Sequence, residues 1–259
     1  MKKLSFEYST GLLFGNDINS HCFTLRCLPV SDDRQIIGDL RCIITPDDKG
    51  IWCSNDSFGN SLLCGRIPEA HNSFSFKIKG IASVKSVYRI SGEAPYIYGF
   101  GSKLTEPTEE IMSFFGRIRS ELNGSVTENA MTISDRLFNS MRYEKGVTNV
   151  NTTAGEAFAA GVGVCQDYAH IFLSLCRLGG IRCRYVSGLA YQSGETHAWA
   201  EINDGSFWIG IDPANNCFCG DNYIKICHGR DYSDCPIERG LYLGSSACTQ
   251  EIFSAVTEI

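Results

Sequence analysis

Residues 161–180 read Gly-Val-Gly-Val-Cys165-Gln-Asp-Tyr-Ala-His170-Ile-Phe-Leu-Ser-Leu-Cys176-Arg-Leu-Gly-Gly180. Apolar residues recur at helical spacing from Tyr168 to Cys176, and the two glycines end the pattern. The spacing therefore predicts a helix with Cys165 at or near its N-terminus. Unpaired N–H groups and the positive end of the helix dipole stabilise a thiolate at such a position, which makes Cys165 a candidate nucleophile. A buried structural cysteine is the alternative interpretation.

A hairpin is predicted around Asp204-Gly205, because apolar and polar residues alternate on both sides of this pair. In a two-residue turn at this pair, Asn203 opposes Ser206. The same register places His197 directly across from Asp212. Directly opposed residues share a face, with Cβ atoms about 4.5–5.5 Å apart. We therefore expect the Asp212 carboxylate to accept the imidazole N–H of His197 and to orient the ring.

These three side chains supply the roles that acyl transfer through a thioester needs. Cys165 is the candidate nucleophile, His197 the general base and Asp212 the group that orients the base. Taken singly, a histidine on a strand and an aspartate before a proline more often have structural roles. Their combination with a helix-terminal thiol predicts a cysteine enzyme.

The first hundred residues have the alternation that is typical of strands, at residues 5–8, 22–27 and 74–78. Turn-forming clusters separate these runs at residues 31–33 and 47–50. The pattern predicts an N-terminal β-sandwich. A loop rich in Gly and Pro follows at residues 91–107, so we place a domain boundary there, with domains at 1–98 and 99–259.

Two helices are predicted after the boundary. Pro107, Glu109 and Glu110 suit the first turn of a helix, and apolar residues follow at helical spacing up to Leu122. A second helix is expected from about residue 128 to residue 141. Both are interpreted as helices that pack on the core, so the predicted fold class is α+β.

Composition narrows the class of protein. Of 259 residues, 43% are hydrophobic and 20% are charged, which is typical of a folded globular chain and excludes a disordered chain or a coiled coil. Uninterrupted apolar runs are only a few residues long, whereas a membrane-spanning helix needs about 20. Polar residues follow Met1-Lys2-Lys3 at once, where a signal peptide has an apolar segment. We therefore expect a cytoplasmic protein that does not bind a membrane.

Charge and cysteine content exclude further classes. The net charge is −6, and residues 101–259 carry 12 Lys and Arg against 19 Asp and Glu. A nucleic-acid-binding surface needs a basic stripe, so no nucleic-acid partner is predicted. The chain has 13 cysteines. Without an export signal we interpret them as mostly reduced, rather than as a disulfide framework.

A second set of side chains has the residue types of a zinc site: Cys217, Cys219, Cys227, His228 and Cys235. The spacing contains one C-x-C and no pair of C-x-x-C motifs, so neither a metal nor a cofactor is predicted. His170 is interpreted as a packed histidine in the core rather than as a second group of the site. Asp167 is expected to complement the N-terminus of its helix.

Four motifs together resemble the bacterial transglutaminase-like family, which has the papain-like cysteine fold: Gly163-Val-Cys165-Gln-Asp-Tyr-Ala-His170, Thr196-His197-Ala-Trp199, Asp212-Pro-Ala-Asn215 and Gly229-Arg230-Asp231-Tyr232-Ser-Asp234. Residues 56–60 look like part of the family's β-rich N-terminal domain, and residues 239–242 look like its closing segment. The resemblance implies a core of helices packed on an antiparallel sheet. It also implies that Cys165, His197 and Asp212 are the catalytic residues.

The expected reaction is attack by Cys165 on a glutamine carboxamide or a peptide bond of a protein or peptide substrate. Hydrolysis of the thioester is favoured over cross-linking, because cross-linking needs a site that disfavours water. We expect function to reside entirely in the second domain, with the first domain positioning a substrate or partner. The alternative is a non-catalytic protein-interaction module on the same scaffold.

Overall fold

The computed structural model of the protein describes residues 1–47, 50–191 and 194–259. The predicted turn at residues 47–50 lies partly outside the described residues, which do not include residues 48 and 49. The helices are α1 (Glu109–Ile118), α2 (Val126–Phe138), α3 (Ala154–Ala160) and α4 (Cys165–Leu178). The strands are β1 (Lys2–Leu25), β2 (Gln35–Thr45), β3 (Trp52–Asn55), β4 (Ser61–Ile67), β5 (His71–Val84), β6 (Ile90–Ser91), β7 (Arg142–Tyr143), β8 (Val162–Gly163), β9 (Cys183–Ala190), β10 (Thr196–Asn203), β11 (Phe207–Asp212), β12 (Cys217–Phe218), β13 (Tyr223–Gly229), β14 (Glu238–Leu243) and β15 (Cys248–Glu258).

Strand β1 is the centre of the first sheet, which has seven strands in the described ranges. Its order is β2-β5-β1-β4-β3, and β14 and β15 also pair with β1. The N-terminal half of β1 pairs with β5 and β15, and its C-terminal end pairs with β4 and β14. Leu4, Phe6 and Tyr8 are buried on one face, with the period of two that a strand requires. The structure shows a curled antiparallel sheet, and the predicted β-sandwich stays a prediction.

The two ends of the chain meet in this first sheet. Residues 4–14 of β1 pair antiparallel with residues 248–258 of β15, and residues 19–25 of β1 pair with residues 238–243 of β14. The sheet of the N-terminal region is therefore completed by strands from the C-terminal end of the sequence.

The second sheet carries the helices. Its order is β12-β11-β10-β9-β13, all antiparallel, and the short strand β6 pairs with β11. Helix α4 contacts β9 and β10 and is contacted in turn by α1, α2 and α3. Every residue from Asp167 to Cys176 is buried, as expected for a helix that has neighbours on all sides. The mixed architecture of helices packed on an antiparallel sheet is confirmed.

The predicted helices are present, with shifted ends. Helix α1 has Glu109 and Glu110 in its first turn, as predicted. Helix α2 begins at Val126, two residues before the expected position, because Ser125 caps it. No helix within the described parts of the chain combines the length and the apolar content needed to cross a membrane.

Side-chain amides join the two sheets. Gln35 Nε2 donates to the Lys225 carbonyl O at 2.8 Å, and Gln35 Oε1 accepts from the Lys225 N–H at 2.9 Å. Asn60 makes the same pair of bonds with the backbone of His228, at 2.7 and 2.9 Å. Asp56 fixes the Asn60 turn by accepting its backbone N–H at 2.9 Å. The first sheet is therefore held in register against strand β13 of the second.

Candidate active site

Cys165 is the first residue of helix α4, as the sequence predicts. The Asp167 carboxylate accepts the Val164 N–H at 2.8 Å and the Thr148 hydroxyl at 2.7 Å. Asp167 therefore satisfies one of the unpaired N–H groups at the start of the helix, as predicted. Burial raises the pKa of its carboxyl above the usual value. The turn that presents the thiol is thus anchored directly beside it.

The predicted register of the hairpin is wrong by two residues. Asn203 pairs with Trp208 instead of Ser206, because Gly205 and Ser206 form the turn, with a φ of 105° at Gly205. Gly92 holds this turn: its N–H donates to the Ser206 carbonyl O at 3.1 Å, and its carbonyl O accepts Asn203 Nδ2 at 2.9 Å. A segment distant in sequence therefore selects one of two possible two-residue turns.

A shift of two positions leaves every side chain on the same face, since side chains alternate with a period of two. His197 and Asp212 consequently still meet. His197 Nε2 donates to Asp212 Oδ2 at 2.6 Å, although the opposed pairing of β10 and β11 ends at Ala200 and Ile211. The predicted contact is present, and it is diagonal rather than directly opposed.

Asp212 is fully buried and surrounded by donors. Besides His197, the Asn215 amide and the Tyr223 hydroxyl donate to Oδ2, at 2.7 and 2.9 Å. The backbone N–H groups of Ala214 and Asn215 donate to Oδ1, at 3.0 and 3.2 Å. Burial alone raises the pKa of Asp212, but these hydrogen bonds outweigh it and hold the pKa below its usual value. The carboxylate is therefore ionised at neutral pH.

Two of these donors were not assigned a role from the sequence. Asn215 lies three residues after Asp212, a spacing at which an aspartate commonly binds the chain that follows it. Tyr223 is the first residue of β13, which β10 and β9 separate from β11 in the sheet, and no sequence signal links it to Asp212.

His197 connects the carboxylate to the thiol. Because Nε2 engages Asp212, the other ring nitrogen, Nδ1, is available to Cys165. Burial lowers the pKa of His197, but hydrogen bonding to Asp212 and Cys165 outweighs burial and raises the pKa to about 10. The site therefore favours an imidazolium next to the thiol, the arrangement that supports a thiolate nucleophile.

A buried polar network lies behind the histidine. Trp199 stacks near its ring, with centroids 6.4 Å apart, and donates from Nε1 to the Tyr88 hydroxyl at 3.1 Å. Tyr88 donates in turn to Glu201 at 2.5 Å. Glu201 is fully buried and is paired with Arg184 and with Lys225, the latter at 2.8 Å. This network fixes the face of β10 that carries the histidine.

Cys165 and His197 open into a cavity of about 480 Å³, within the size range of small-ligand sites. Part of its wall comes from the first sheet, through Tyr8 of β1, Glu238 of β14 and Ile252 of β15. We expected function to reside entirely in residues 99–259. The cavity corrects this expectation, because Tyr8 of the N-terminal region forms part of the cavity wall.

Two further sequence interpretations concern groups near the site. His170 is buried, its Nε2 accepts the Tyr232 N–H at 3.2 Å, and burial lowers its pKa to about 4, so its interpretation as a packed histidine is confirmed. Two of the zinc-like residues are in contact, since Cys227 Sγ donates to the Cys235 carbonyl O at 3.3 Å. Among the residues that the structure describes, no three His, Cys, Asp or Glu side chains are grouped so that they could hold a metal ion.

Comparison with known proteins gives family matches for both regions. The sequence model of the Transglutaminase-like superfamily matches residues 116–213, and that of the Bacterial transglutaminase-like N-terminal region matches residues 4–83. The match to the N-terminal region covers much of the first sheet. The match to the superfamily contains Cys165, His197 and Asp212.

Similar sequences occur in mycobacteria. An uncharacterized protein of Mycobacterium tuberculosis is 32% identical over 130 residues, which is 44% of this chain and 41% of that protein. An uncharacterized protein of Mycobacterium leprae is 33% identical over 127 residues, which is 45% of each chain. The aligned region spans less than half of the length of these curated relatives.

A similar solved structure is described as "a Putative Cysteine Protease from Cytophaga hutchinsonii". The two structures superpose with a TM-score of 0.76 at 20% identity, over 99% of this chain and 91% of the other. At this identity the likeness shows the fold. Together with it, the two sequence matches confirm the resemblance region by region: residues 116–213 match the Transglutaminase-like superfamily, and residues 4–83 match the Bacterial transglutaminase-like N-terminal region.

Proposed function

We propose that the protein is a cysteine hydrolase of the transglutaminase-like type, which cleaves a peptide bond or a glutamine carboxamide of a protein or peptide through a thioester on Cys165. The observation that carries the proposal is the hydrogen bond of 2.6 Å between His197 and the buried Asp212. It directs the second ring nitrogen toward a thiol at a helix N-terminus, in a cavity large enough for a side chain of a substrate.

In the first half of the reaction, the Cys165 thiolate attacks the carbonyl carbon and forms a tetrahedral intermediate. The backbone N–H of Cys165, at the start of helix α4, is suited to stabilise the oxyanion. The His197 imidazolium then gives its proton to the leaving amine or ammonia, and the C–N bond breaks. A thioester and a neutral imidazole remain. Asp212 keeps the ring oriented during this proton transfer.

In the second half, neutral His197 removes a proton from water, which attacks the thioester carbonyl. The C–S bond breaks, the carboxylic acid leaves, and the thiolate–imidazolium pair is restored. An amine in place of water would give cross-linking by the same route. We propose that water is the ordinary acceptor.

The proposal is tested with a library of peptides that contain glutamine and varied backbones, incubated with wild type and with Cys165→Ala. Release of ammonia or of new amino termini by the wild type alone supports it, and addition of glycine ethyl ester separates hydrolysis from transfer. If no peptide in the library forms a thioester, and wild type and Cys165→Ala behave alike, the result favours the interaction module instead.

A further inference from the structure

Glu238 places an unpaired carboxyl group in the same cavity as Cys165. It is the first residue of strand β14, where its backbone pairs with Leu25 of β1. Both carboxyl oxygens are buried, and neither has a hydrogen-bond partner in the described ranges of the chain. A buried polar group without a partner is costly, so it calls for a physical reason.

The other charged side chains in the cavity wall do not neutralise Glu238. Lys145 and Glu195 form an ion pair with each other at 3.2 Å, and both are largely exposed. The Tyr8 hydroxyl is engaged with Thr10 at 2.9 Å. Among the described residues of the cavity wall, no cation therefore balances the charge of the buried Glu238 carboxyl.

The next residue along β14 does not supply a cation either. Arg239 is exposed, and its guanidinium donates a hydrogen bond from Nη2 to the Ser233 carbonyl O at 2.9 Å. Adjacent residues of a strand point to opposite faces, so Arg239 and Glu238 lie on different sides of β14. Burial raises the pKa of Glu238 to about 7.

We propose that Glu238 determines specificity by binding an ammonium or guanidinium group that the substrate carries close to the acyl group attacked by Cys165. Such a group supplies both the charge and the N–H donors that the carboxyl lacks, and charge-assisted bonds of this kind are strong. The inference rests on the proposed function, since it names the substrate class for the same site. It assigns substrates with a basic side chain or a free amine to this cavity.

The test measures how charge affects the modification of Cys165, and needs no known substrate. Three methanethiosulfonates of different charge serve as probes: the cationic 2-aminoethyl, the neutral methyl and the anionic 2-sulfonatoethyl compound. At pH 8.5 the Glu238 carboxyl is ionised. The rate at Cys165 is followed by mass spectrometry of its peptide, with Cys165→Ala as the blank.

In the wild type, the cationic probe is expected to react about tenfold or more faster than the anionic probe, after both rates are divided by those with a small free thiol. In Glu238→Gln this ratio falls toward one, and in Glu238→Lys it inverts. Glu195→Gln is the matched control, because it removes the same charge from an exposed part of the same wall. It is expected to change the ratio less than threefold.

An unchanged ratio in Glu238→Gln, or an equal change in Glu195→Gln, would overturn the proposal. Glu238→Met provides a second neutral variant if the amide variant fails to fold. Failure of the proposed function has a different signature: Cys165 then reacts with the neutral probe no faster than the exposed Cys53 does, whatever residue occupies position 238.

Discussion

Asp212 in the second sheet and Glu238 in the first are both buried carboxyl groups near the cavity, and the two sheets surround them differently. In the sheet that carries the helices, Asp212 receives hydrogen bonds from His197, Asn215 and Tyr223, and its pKa is held below the usual value. In the first sheet, Glu238 has no hydrogen-bond partner among the described residues, and burial raises its pKa to about 7. The helix-bearing region is thus preorganised by its own fold, whereas the first sheet retains a polar group that a ligand can satisfy.

Removing the charge of Asp212 should have the largest effect on activity. Asp212→Asn keeps the shape but stabilises neither the imidazolium nor the correct tautomer, so turnover should fall about 10²- to 10⁴-fold. NMR titration should show the His197 pKa falling from about 10. The matched control is Asp234→Asn, which removes a carboxylate paired with Arg230 outside the cavity. Wild-type turnover in Asp212→Asn would show that Asp212 does not orient the base.

The buried ion pairs behind the site should matter for stability. Glu201→Gln leaves Arg184 and Lys225 buried without a balancing charge, so the free energy of unfolding should fall by about 3–5 kcal/mol. Urea unfolding followed by circular dichroism measures this change. In the control, Glu7→Gln removes a half-buried carboxylate that pairs with two more exposed lysines on the first sheet, and should cost less than about 1 kcal/mol. Equal losses in the two variants would contradict the proposed difference between the regions.

Glu238→Gln should make the protein more stable, and only at high pH. The folded pKa of Glu238, about 7, lies above its usual value. The folded state therefore binds a proton more tightly than the unfolded state, and Glu238 destabilises the wild type progressively as the pH rises from 4.5 to 7. At pH 8 the variant should be about 1–3 kcal/mol more stable than wild type, and at pH 4.5 about equally stable. A variant less stable at pH 8 would indicate a structural role for the carboxylate.

A smaller effect is expected when Asp212 loses one donor. Tyr223→Phe removes a hydrogen bond of 2.9 Å to Oδ2, while Asn215 and His197 still donate to the same oxygen. Turnover should fall about tenfold, in keeping with the contribution of one bond to a charged group. Tyr96→Phe, which changes an exposed hydroxyl, is the control. An effect as large as that of Asp212→Asn would mean that the donors do not share the role.

Local signals in the sequence predict well how Cys165, His197 and Asp212 are arranged. The start of helix α4 at Cys165 follows from apolar spacing, and the shared face of His197 and Asp212 follows from strand periodicity. The register of the hairpin between β10 and β11 does not follow from local signals, because Asp-Gly and Gly-Ser are both favourable two-residue turns. The choice between them depends on hydrogen bonds to Gly92.

Long-range pairing explains what the sequence does not predict. The position of Glu238 in the cavity depends on β14 pairing with β1, across more than 200 residues of chain. Tyr223 likewise reaches Asp212 from β13, a strand that β10 and β9 separate from β11 in the second sheet. Neither contact has a local pattern, since only the assembled sheets bring these side chains together.

The central claim is that Cys165 is a nucleophile activated by His197. It is tested most directly by the rate of alkylation of each cysteine by iodoacetamide at pH 6, with peptide mapping, in wild type and His197→Ala. Because His197 remains protonated up to a pH of about 10, Cys165 should be alkylated before exposed thiols such as Cys53. In His197→Ala its rate should fall about tenfold or more. Alkylation of Cys165 no faster than of Cys53, with no change in His197→Ala, would contradict the claim.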